Sequence, residues 1–343
     1  MLILSGLDVF HPDPSRPLIL GIGNFDGLHL GHQALIQYVL EKTRRLQGVS
    51  GILTFREHPQ QILHPESKPP LLMTSDYKLF LMKEFGIDYC FWIPFTETLS
   101  QMEPEVFVAK VLAEQLRVKE VCLGYNAHFG HRRKGDAAMM KMLAPRFGFA
   151  FEEIAPVKAA GDFVSSSRIR GLVRDGKLEE VFLCLGRPFS LMAKVVPGAG
   201  RGKGLGFPTA NLEIRTETLP PLGVYPVELR ILDLERIPFK EEHTEELIVR
   251  KKSPLIRGIL NYGCRPTFET GGEGTAPVAE IHLFDFDANL YGKTLEVFFH
   301  PRLRVETAFP DVAALQIQVQ QDIIEAKKYF KAVSKKVFTK IVD

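Results

Sequence analysis

Two histidines three residues apart, His29 and His32, close a stretch that reads Gly-Ile-Gly-Asn-Phe-Asp-Gly-Leu-His-Leu-Gly-His over residues 21–32. An apolar run, Leu18–Leu20, precedes it, and an apolar-periodic segment, Ala34–Leu40, follows. Strand, glycine-rich turn and helix start in that order make a phosphate site, because the unpaired amides of a helix N-terminus face an anion. Glycines at 21, 23, 27 and 31 are placed to let the backbone approach that anion. Their spacing lets both imidazoles point at one phosphate as hydrogen-bond donors. The chemistry on offer is stabilisation of charge on the phosphates of a nucleotide. The plain alternative is a histidine pair that only caps a helix. Zinc is a third reading, since ten histidines are present and His58, His128 and His131 lie in the same half. No HExxH and no Cys/His set with metal-ligand spacing occurs, so zinc ranks behind the nucleotide.

Five further segments carry candidate reactive or anion-binding groups. Val164-Ser165-Ser166-Ser167-Arg168-Ile169-Arg170 puts hydroxyls at a helix start, with two guanidiniums behind them. Such a start holds anions, and arginines add charge-assisted bonds to a triphosphate. A serine cluster that merely caps a helix is the bland reading. Gly200-Arg201-Gly202-Lys203-Gly204-Leu205-Gly206-Phe207-Pro208-Thr209-Ala210-Asn211 is a second glycine-rich segment without the GxxxxGK[ST] of a Walker loop. Thr209 and Asn211 offer small oxygen ligands suited to a hard Mg²⁺ ion. Glu280, within Glu280-Ile281-His282-Leu283, is a carboxylate on a strand-like segment. Thr54-Phe55-Arg56-Glu57-His58-Pro59 and Gly124-Tyr125-Asn126-Ala127-His128-Phe129-Gly130 each follow an apolar run.

The elements that must position these groups fall into two patterns. Up to residue 185 strands and helices alternate. Strands are expected at Leu18–Gly21, Gly51–Phe55, Tyr89–Ile93, Lys119–Leu123 and Phe149–Ile154, and helices over 33–46, 76–85, 104–116 and 136–147. That alternation predicts a parallel sheet with helices on both faces, which binds nucleotides at the C-terminal ends of its strands. Ser165–Arg174 and Leu178–Leu185 read as two short helices. Beyond residue 187 the segments turn short and β-rich: Phe189–Val196, Val224–Leu232, Ile256–Asn261, Val278–Phe284 and Thr294–Phe299. They predict a small antiparallel barrel. The charged run 238–254 is expected to be a solvent-exposed loop. Val312, Leu315, Val319, Ile323, Ala326 and Phe330 recur at helical spacing and predict an amphipathic helix packed on the barrel.

Bulk properties agree with two domains in 343 residues. With 45% hydrophobic and 24% charged residues the composition is that of an ordinary soluble globular protein. A net charge of +2 argues against a polyanion-coating protein and leaves room for a local basic site, so no nucleic-acid partner is expected. Cys90, Cys122, Cys184 and Cys264 lie far apart with no CxxC pair, which excludes a zinc ribbon and a disulfide framework. No signal peptide and no apolar run long enough for a bilayer is present, so the expected address is the cytoplasm, with no membrane partner.

Asn24-Phe25-Asp26-Gly27-Leu28-His29-Leu30-Gly31-His32 resembles the HxGH signature of the nucleotidyltransferase superfamily. In its GxFDGxHxGH context it looks like the adenylyltransferase half of the bacterial bifunctional riboflavin kinase/FAD synthetase family. Residues 164–170 are similar to the superfamily's ISSTxIR element. Residues 200–211 resemble the riboflavin kinase glycine-rich segment with its PTAN motif. Asn261-Tyr262-Gly263-Cys264-Arg265-Pro266-Thr267-Phe268 looks like the family's NxGxxPTF turn, and Leu303-Arg304-Val305-Glu306 with Phe309 like its LRxExxF segment. The chain departs at Glu57, where the family usually has Pro, at Asn126 and Ala127 in the family's GxDFxFG loop, and at Pro197 and Ala199, where His and Asp are frequent.

The resemblance, which runs from about residue 18 to about residue 330, implies an α/β plus β architecture. A Rossmann-like nucleotidyltransferase domain over 1–185 would precede an antiparallel β-barrel kinase domain with a C-terminal helix over 186–335. It implies ATP-dependent phosphorylation of riboflavin to FMN, then adenylylation of FMN to FAD with release of pyrophosphate. His29, His32, Arg168 and Glu280 would be catalytic. Gly23, Asn24, Phe25, Asp26, Gly31, Ser165, Ser166, Ser167, Arg170, Gly202 and Lys203 would bind ATP. His58, Asn126, Phe129 and Arg304 would contact the flavin, and Thr209 and Asn211 would hold Mg²⁺. Small molecules (riboflavin, FMN, FAD and ATP) are the implied partners, with the oligomeric state left open. Three alternatives stand beside it. They are a single-activity riboflavin kinase with a degenerate adenylyltransferase domain, a nucleotidyltransferase for another phosphorylated acceptor, and a non-catalytic module that binds or delivers flavin.

Overall fold

A computed structural model describes residues 1–63, 65–198, 207–238, 244–264 and 277–333. The chain divides into two compact units. One comprises Met1–Leu71, Ser75–Ser166 and Glu235–Ile248, the other Leu72–Thr74, Ser167–Leu234 and Val249–Asp343.

In the first unit β1 (Leu2–Leu4), β2 (Leu18–Ile22), β3 (Val49–Phe55), β4 (Tyr89–Ile93), β5 (Glu120–Gly124) and β6 (Ala150–Ile154) run parallel in the order β1-β4-β3-β2-β5-β6. Helices α1 (Leu30–Leu46), α2 (Pro59–Leu63), α3 (Ser75–Glu84), α4 (Glu97–Ser100), α5 (Pro104–Val106) and α6 (Ala137–Arg146) connect them. After α5 the helix continues with wider π-type winding over Phe107–Gln115. Every residue of β2 is buried, as a parallel strand covered on both faces requires. Leu18, Leu20 and Ile22 pack into the cluster that holds Phe107, Val108, Val111 and Leu112. Gly21 faces the opposite way, and a Cβ there would collide with Leu35 of α1 and Ile52 of β3. Gly21 therefore serves helix–strand packing, where the sequence pattern suggested a phosphate approach.

The strand order sets the site. β2 is flanked by β3 and β5, so the sheet grows one way through β3 and β4 and the other way through β5 and β6. The C-terminal end of β2 thus lies at the topological switch point, where open α/β sheets bind ligands. A two-stranded hairpin, β7 (Lys158–Ala159) and β8 (Asp162–Phe163), follows β6. It leads into α7 (Ser166–Arg174) and α8 (Leu178–Leu185).

Six strands close the barrel of the second unit: β9 (Ser190–Val196), β10 (Ala210–Ile214), β11 (Gly223–Pro238), β13 (Ile256–Gly263), β14 (Val278–Leu283) and β15 (Thr294–Phe299). Their order is β13-β14-β10-β9-β15-β11, all antiparallel, and β11 pairs with β13 to complete the ring. Ala326 and Phe330 of helix α9 (Val312–Val333) pack on Val224 and Ile259, as its periodicity predicts. The α/β sheet and the small barrel with its C-terminal helix agree with the architecture expected from the sequence.

The run 238–254 corrects one expectation. Residues 239–243 fall outside the described residues, but Thr244–Lys252 form strand β12 and not an exposed loop. Thr244 and Leu247 are buried. The first residues of β12 pair antiparallel with β1, Leu2 with Glu246 and Leu4 with Thr244. They cover a sheet edge that would otherwise present unpaired backbone groups. Counting charges hides this, because a strand needs only one face apolar.

A buried ionic cluster ties the barrel to α9. Glu228 of β11 and His300 beyond β15 are both almost wholly buried. Glu228 accepts from Arg257 Nε at 3.0 Å and lies 3.3 Å from His300 Nε2, while His300 Nδ1 is 3.1 Å from the Tyr329 hydroxyl. Burial pushes the Glu228 carboxyl up, but bonds and charge from His300 and Arg257 outweigh it and hold it below its ordinary range. A lowered carboxylate contributes stability that is complete above the ordinary carboxylate range and is lost as pH falls through the folded value. Glu228→Ala leaves buried His300 without its carboxylate partner, while Arg257 is exposed and can turn to water, and should destabilise the barrel by about 1–3 kcal/mol. Urea unfolding followed by far-ultraviolet circular dichroism measures the loss, and the gap to wild type should narrow on acidification.

Candidate functional site

The turn between β2 and α1 is a strained cradle pinned from below. Phe25 (φ 55°), Gly27 (φ 86°) and Leu28 (φ 43°) all adopt left-handed backbone. The two bulky residues hold that conformation because their side chains are 0% and 1% exposed. Phe25, expected to contact ATP, anchors the turn with a fully buried ring, which leaves its backbone to face a ligand. Asp26 is also buried. A Cβ on Gly31 would press on the His29 ring at 3.2 Å, so a larger residue there would displace the imidazole. One on Gly23 would crowd the Phe25 ring at the same distance, 3.2 Å.

The structure brings the two histidines into contact. Their rings stack, with centroids 3.6 Å apart and planes 13° from parallel. His29 is the N-cap of α1, and its Nδ1 accepts from the His32 amide at 3.3 Å. That bond leaves the proton of the neutral ring on Nε2, the nitrogen that can donate to an anion. His32 Nδ1 is buried without a hydrogen-bond partner. Burial first, then His29 and Lys78, hold the His32 imidazole well below its ordinary value. His32 is therefore neutral near pH 7.

Three further groups lock the turn to its neighbours. Ser166 Oγ, at the start of α7, donates to the Asp26 carbonyl at 2.8 Å. Thr54 Oγ1, near the end of β3, donates to the Asn24 carbonyl at 3.3 Å. Lys78 of α3 is buried and donates to the Asn24 carbonyl, Thr54 Oγ1 and the Phe55 carbonyl at 3.1–3.3 Å. Burial lowers the Lys78 ammonium from its ordinary value. Ser165 is half-buried, Ser167 exposed, Arg168 half-exposed and Arg170 buried. Ser167, Arg168 and Arg170 group with the second compact unit.

The residues expected on the flavin side are placed less uniformly. His58 Nδ1 accepts from the Gln60 amide at 3.2 Å at the start of α2. Asn126 is exposed just past β5. The Phe129 ring leans on Phe107, 6.0 Å between centroids, and so packs toward the core. Arg304 makes a two-pronged ion pair with buried Asp322 of α9, Nε to Oδ1 at 2.8 Å and Nη2 to Oδ2 at 2.7 Å. Its guanidinium also lies over Phe309. The structure thus gives Arg304 a link from the segment before α9 to the helix itself.

The barrel builds a second constellation from strand register. Glu280 of β14 is directly opposite Asn211 of β10 on one side and Asn261 of β13 on the other. Directly paired residues project to the same face, so the three side chains form a row across three strands. Asn211 is 8% exposed, and its Oδ1 is buried without a hydrogen-bond partner. An orphaned carbonyl oxygen of this kind fits a hard cation. Thr209 is half-buried just before β10. His282 Nδ1 lies 2.9 Å from the Pro208 carbonyl and fixes this approach. The Cys264 amide donates to Glu306 Oε2 at 3.0 Å and anchors the end of β13. Gly202, Lys203 and the turn 265–268 lie outside the described residues. No group of three or more His, Cys, Asp or Glu side chains able to hold a metal occurs among the described residues.

Residues 11–168 match the FAD synthetase family model, and residues 185–330 match the riboflavin kinase model. The chain is 30% identical over 313 residues to the bifunctional riboflavin kinase/FMN adenylyltransferase of Haemophilus influenzae, covering 91% of this chain and 94% of that one. The protein of the same name from Pseudomonas fluorescens is 31% identical over 327 residues, covering 95% and 97%. The chain belongs to the bifunctional riboflavin kinase/FMN adenylyltransferase family. The Escherichia coli K12 member is 29% identical, with 96% of this chain and 98% of that one covered. The fold is also that of a solved structure titled a macrolide-efflux protein from Streptococcus pneumoniae. That match has a TM-score of 0.74 at 24% identity and covers 97% and 98% of the two chains. Among the described residues no helix is long and apolar enough to cross a membrane.

Motif reading of this family member misses Lys78 and Thr54 as parts of the turn. The signal for Lys78 is a cation inside Tyr77-Lys78-Leu79-Phe80-Leu81-Met82, a helical stretch buried throughout. A lysine there must find oxygen partners, because an unpaired buried charge is too costly to keep.

Proposed function

We propose that the chain makes FAD from riboflavin in two ATP-dependent steps carried by different domains. Residues 186–335 transfer the γ-phosphoryl of ATP to the riboflavin 5′-hydroxyl, giving FMN and ADP. Residues 1–185 join FMN to the AMP moiety of a second ATP, giving FAD and pyrophosphate. The observation that supports two sites is that the stacked pair His29/His32 belongs to the α/β unit and the row Asn211–Glu280–Asn261 to the barrel unit.

In the kinase step Glu280 accepts the hydroxyl proton as the oxygen attacks phosphorus in line. Thr209 and Asn211 hold Mg²⁺, which supplies charge neutralisation on the phosphates when bound. Gly202 and Lys203 contribute to the triphosphate site. In the adenylyl step the FMN phosphate is already an anion, so positioning and charge make up most of the barrier. His29 and His32 donate to the α-phosphate oxygens as they gain charge, and Arg168 and Arg170 with Ser165, Ser166 and Ser167 hold the departing pyrophosphate. Gly23, Asn24, Asp26 and Gly31 shape the cradle around the nucleotide. Asn126 and His58 face the flavin. The cytoplasm, which supplies ATP and Mg²⁺, is the proposed location.

Incubation with riboflavin, ATP and Mg²⁺, followed by chromatography of flavins over time, tests this reading. FMN should appear first and FAD after it. FMN without FAD favours the single-activity kinase, a reading to which the departures at Glu57, Asn126 and Ala127 give a specific basis.

A further inference from the structure

Lys78 is an internal cation behind the anion-facing turn, and neither of the two proposed steps gives it a role. Its ammonium bonds to three oxygens: the Asn24 carbonyl, Thr54 Oγ1 and the Phe55 carbonyl. Asn24 belongs to the loop leaving β2, and Thr54 and Phe55 end β3. These are two neighbouring strand ends at the switch point, brought together by a residue on a third element, α3. Thr54 Oγ1 also reaches the Asn24 carbonyl, so hydroxyl and ammonium converge on one backbone oxygen.

The cost of burying an ammonium is large unless every proton finds an acceptor. Three oxygens meet that need here. An apolar residue on α3 would leave the Asn24 and Phe55 carbonyls without this donor and would remove a positive charge from beneath a site built for anions. Charge held in a low-dielectric wall acts on a bound polyphosphate more strongly than the same charge in water. We propose that Lys78 is a positioning residue for adenylyl transfer, fixing the Asn24 turn against β3 and holding its positive charge beside the His32 imidazole.

Charged and titratable groups surround the pair from several elements. Lys78 faces Asp26 from the turn, Glu57 from beyond β3 and Cys90 from β4. His32 faces His29 and Lys78. Asp26 and Glu57 favour the charged lysine, and the charged lysine disfavours a second cation on His32. Removing Lys78 should therefore move the His32 titration to higher pH as well as loosen the turn.

The inference rests on the assignment of the histidine turn to adenylyl transfer, and wild-type conversion of FMN and ATP to FAD checks that assignment separately. Lys78→Met keeps the length of the side chain and removes the charge. It should lower kcat for FAD formation by about a hundredfold, the scale of a misplaced reacting group. Riboflavin phosphorylation should stay at the wild-type rate. In histidine-labelled protein followed by NMR, the His32 titration should shift upward. Thr54→Val, which removes one acceptor and keeps the charge, should lower kcat by about tenfold and leave that titration in place. Wild-type kcat for FAD formation in Lys78→Met overturns the proposal. So does a fall in kcat with the His32 titration unmoved, which marks a packing role alone. If Lys78→Met does not fold, an unchanged kcat in Thr54→Val overturns it.

Discussion

Glu280→Gln is expected to lower riboflavin phosphorylation by about a hundredfold or more, the usual contribution of a positioned general base. FAD formation from supplied FMN should continue at the wild-type rate. The substitution keeps the size and polarity of the side chain and removes only its capacity to take a proton. Glu280 sits between Asn211 and Asn261 in an intact antiparallel register, so the amide meets the same neighbours as the carboxylate. Loss of the base should appear in kcat with little change in KM for riboflavin, because the ground-state hydroxyl is bound whether or not its proton can leave. Steady-state rates of ADP release against riboflavin concentration separate the two. A variant with wild-type kcat would assign the proton to another acceptor and reduce Glu280 to a strand residue beside Asn211.

Features written in contiguous residues are legible in the chain itself. The histidine turn, the serine-led start of α7 and the Thr209–Asn211 segment are short motifs. The barrel strands announce themselves by short apolar runs, and α9 by its spacing. What escapes such a reading is built from distant parts. Lys78 meets Asn24 across 54 residues and Thr54 across 24, and no local pattern joins them. The ion pair of Arg304 with Asp322, 18 residues on, joins the segment before α9 to the helix, and no motif announces it. β12 reads as a charged loop because its pairing partner, β1, lies at the other end of the sequence. Gly21 and Gly31 read as one class of phosphate-loop glycine, although one makes room for a helix and the other for a histidine ring.

His29→Asn is expected to abolish most FAD formation, by about a hundredfold to a thousandfold, while riboflavin is still converted to FMN. The choice of Asn separates chemistry from folding. His29 caps α1 through Nδ1, which accepts the His32 amide at 3.3 Å. Asn is among the best N-cap residues, so its side-chain oxygen can take over that bond, whereas Ala forfeits it at a cost of about 0.5–2 kcal/mol. The two variants should differ in thermal stability, with Asn close to wild type and Ala below it. They should agree in activity, since both lack the Nε2–H donor that the cap bond holds ready. FMN should accumulate in both, visible as a stalled intermediate when riboflavin and ATP are supplied. If the Asn variant instead made FAD at the wild-type rate, the imidazole would be a cap and nothing more. The transition-state charge would then fall to His32 and the arginines of α7. His32 bears directly on that outcome, because burial already holds it neutral and leaves it one donor for the same phosphate. A neutral His32 stacked on His29 adds a second ring without placing two positive charges 3.6 Å apart. That arrangement suits a site whose task is to receive developing negative charge without repelling its own parts.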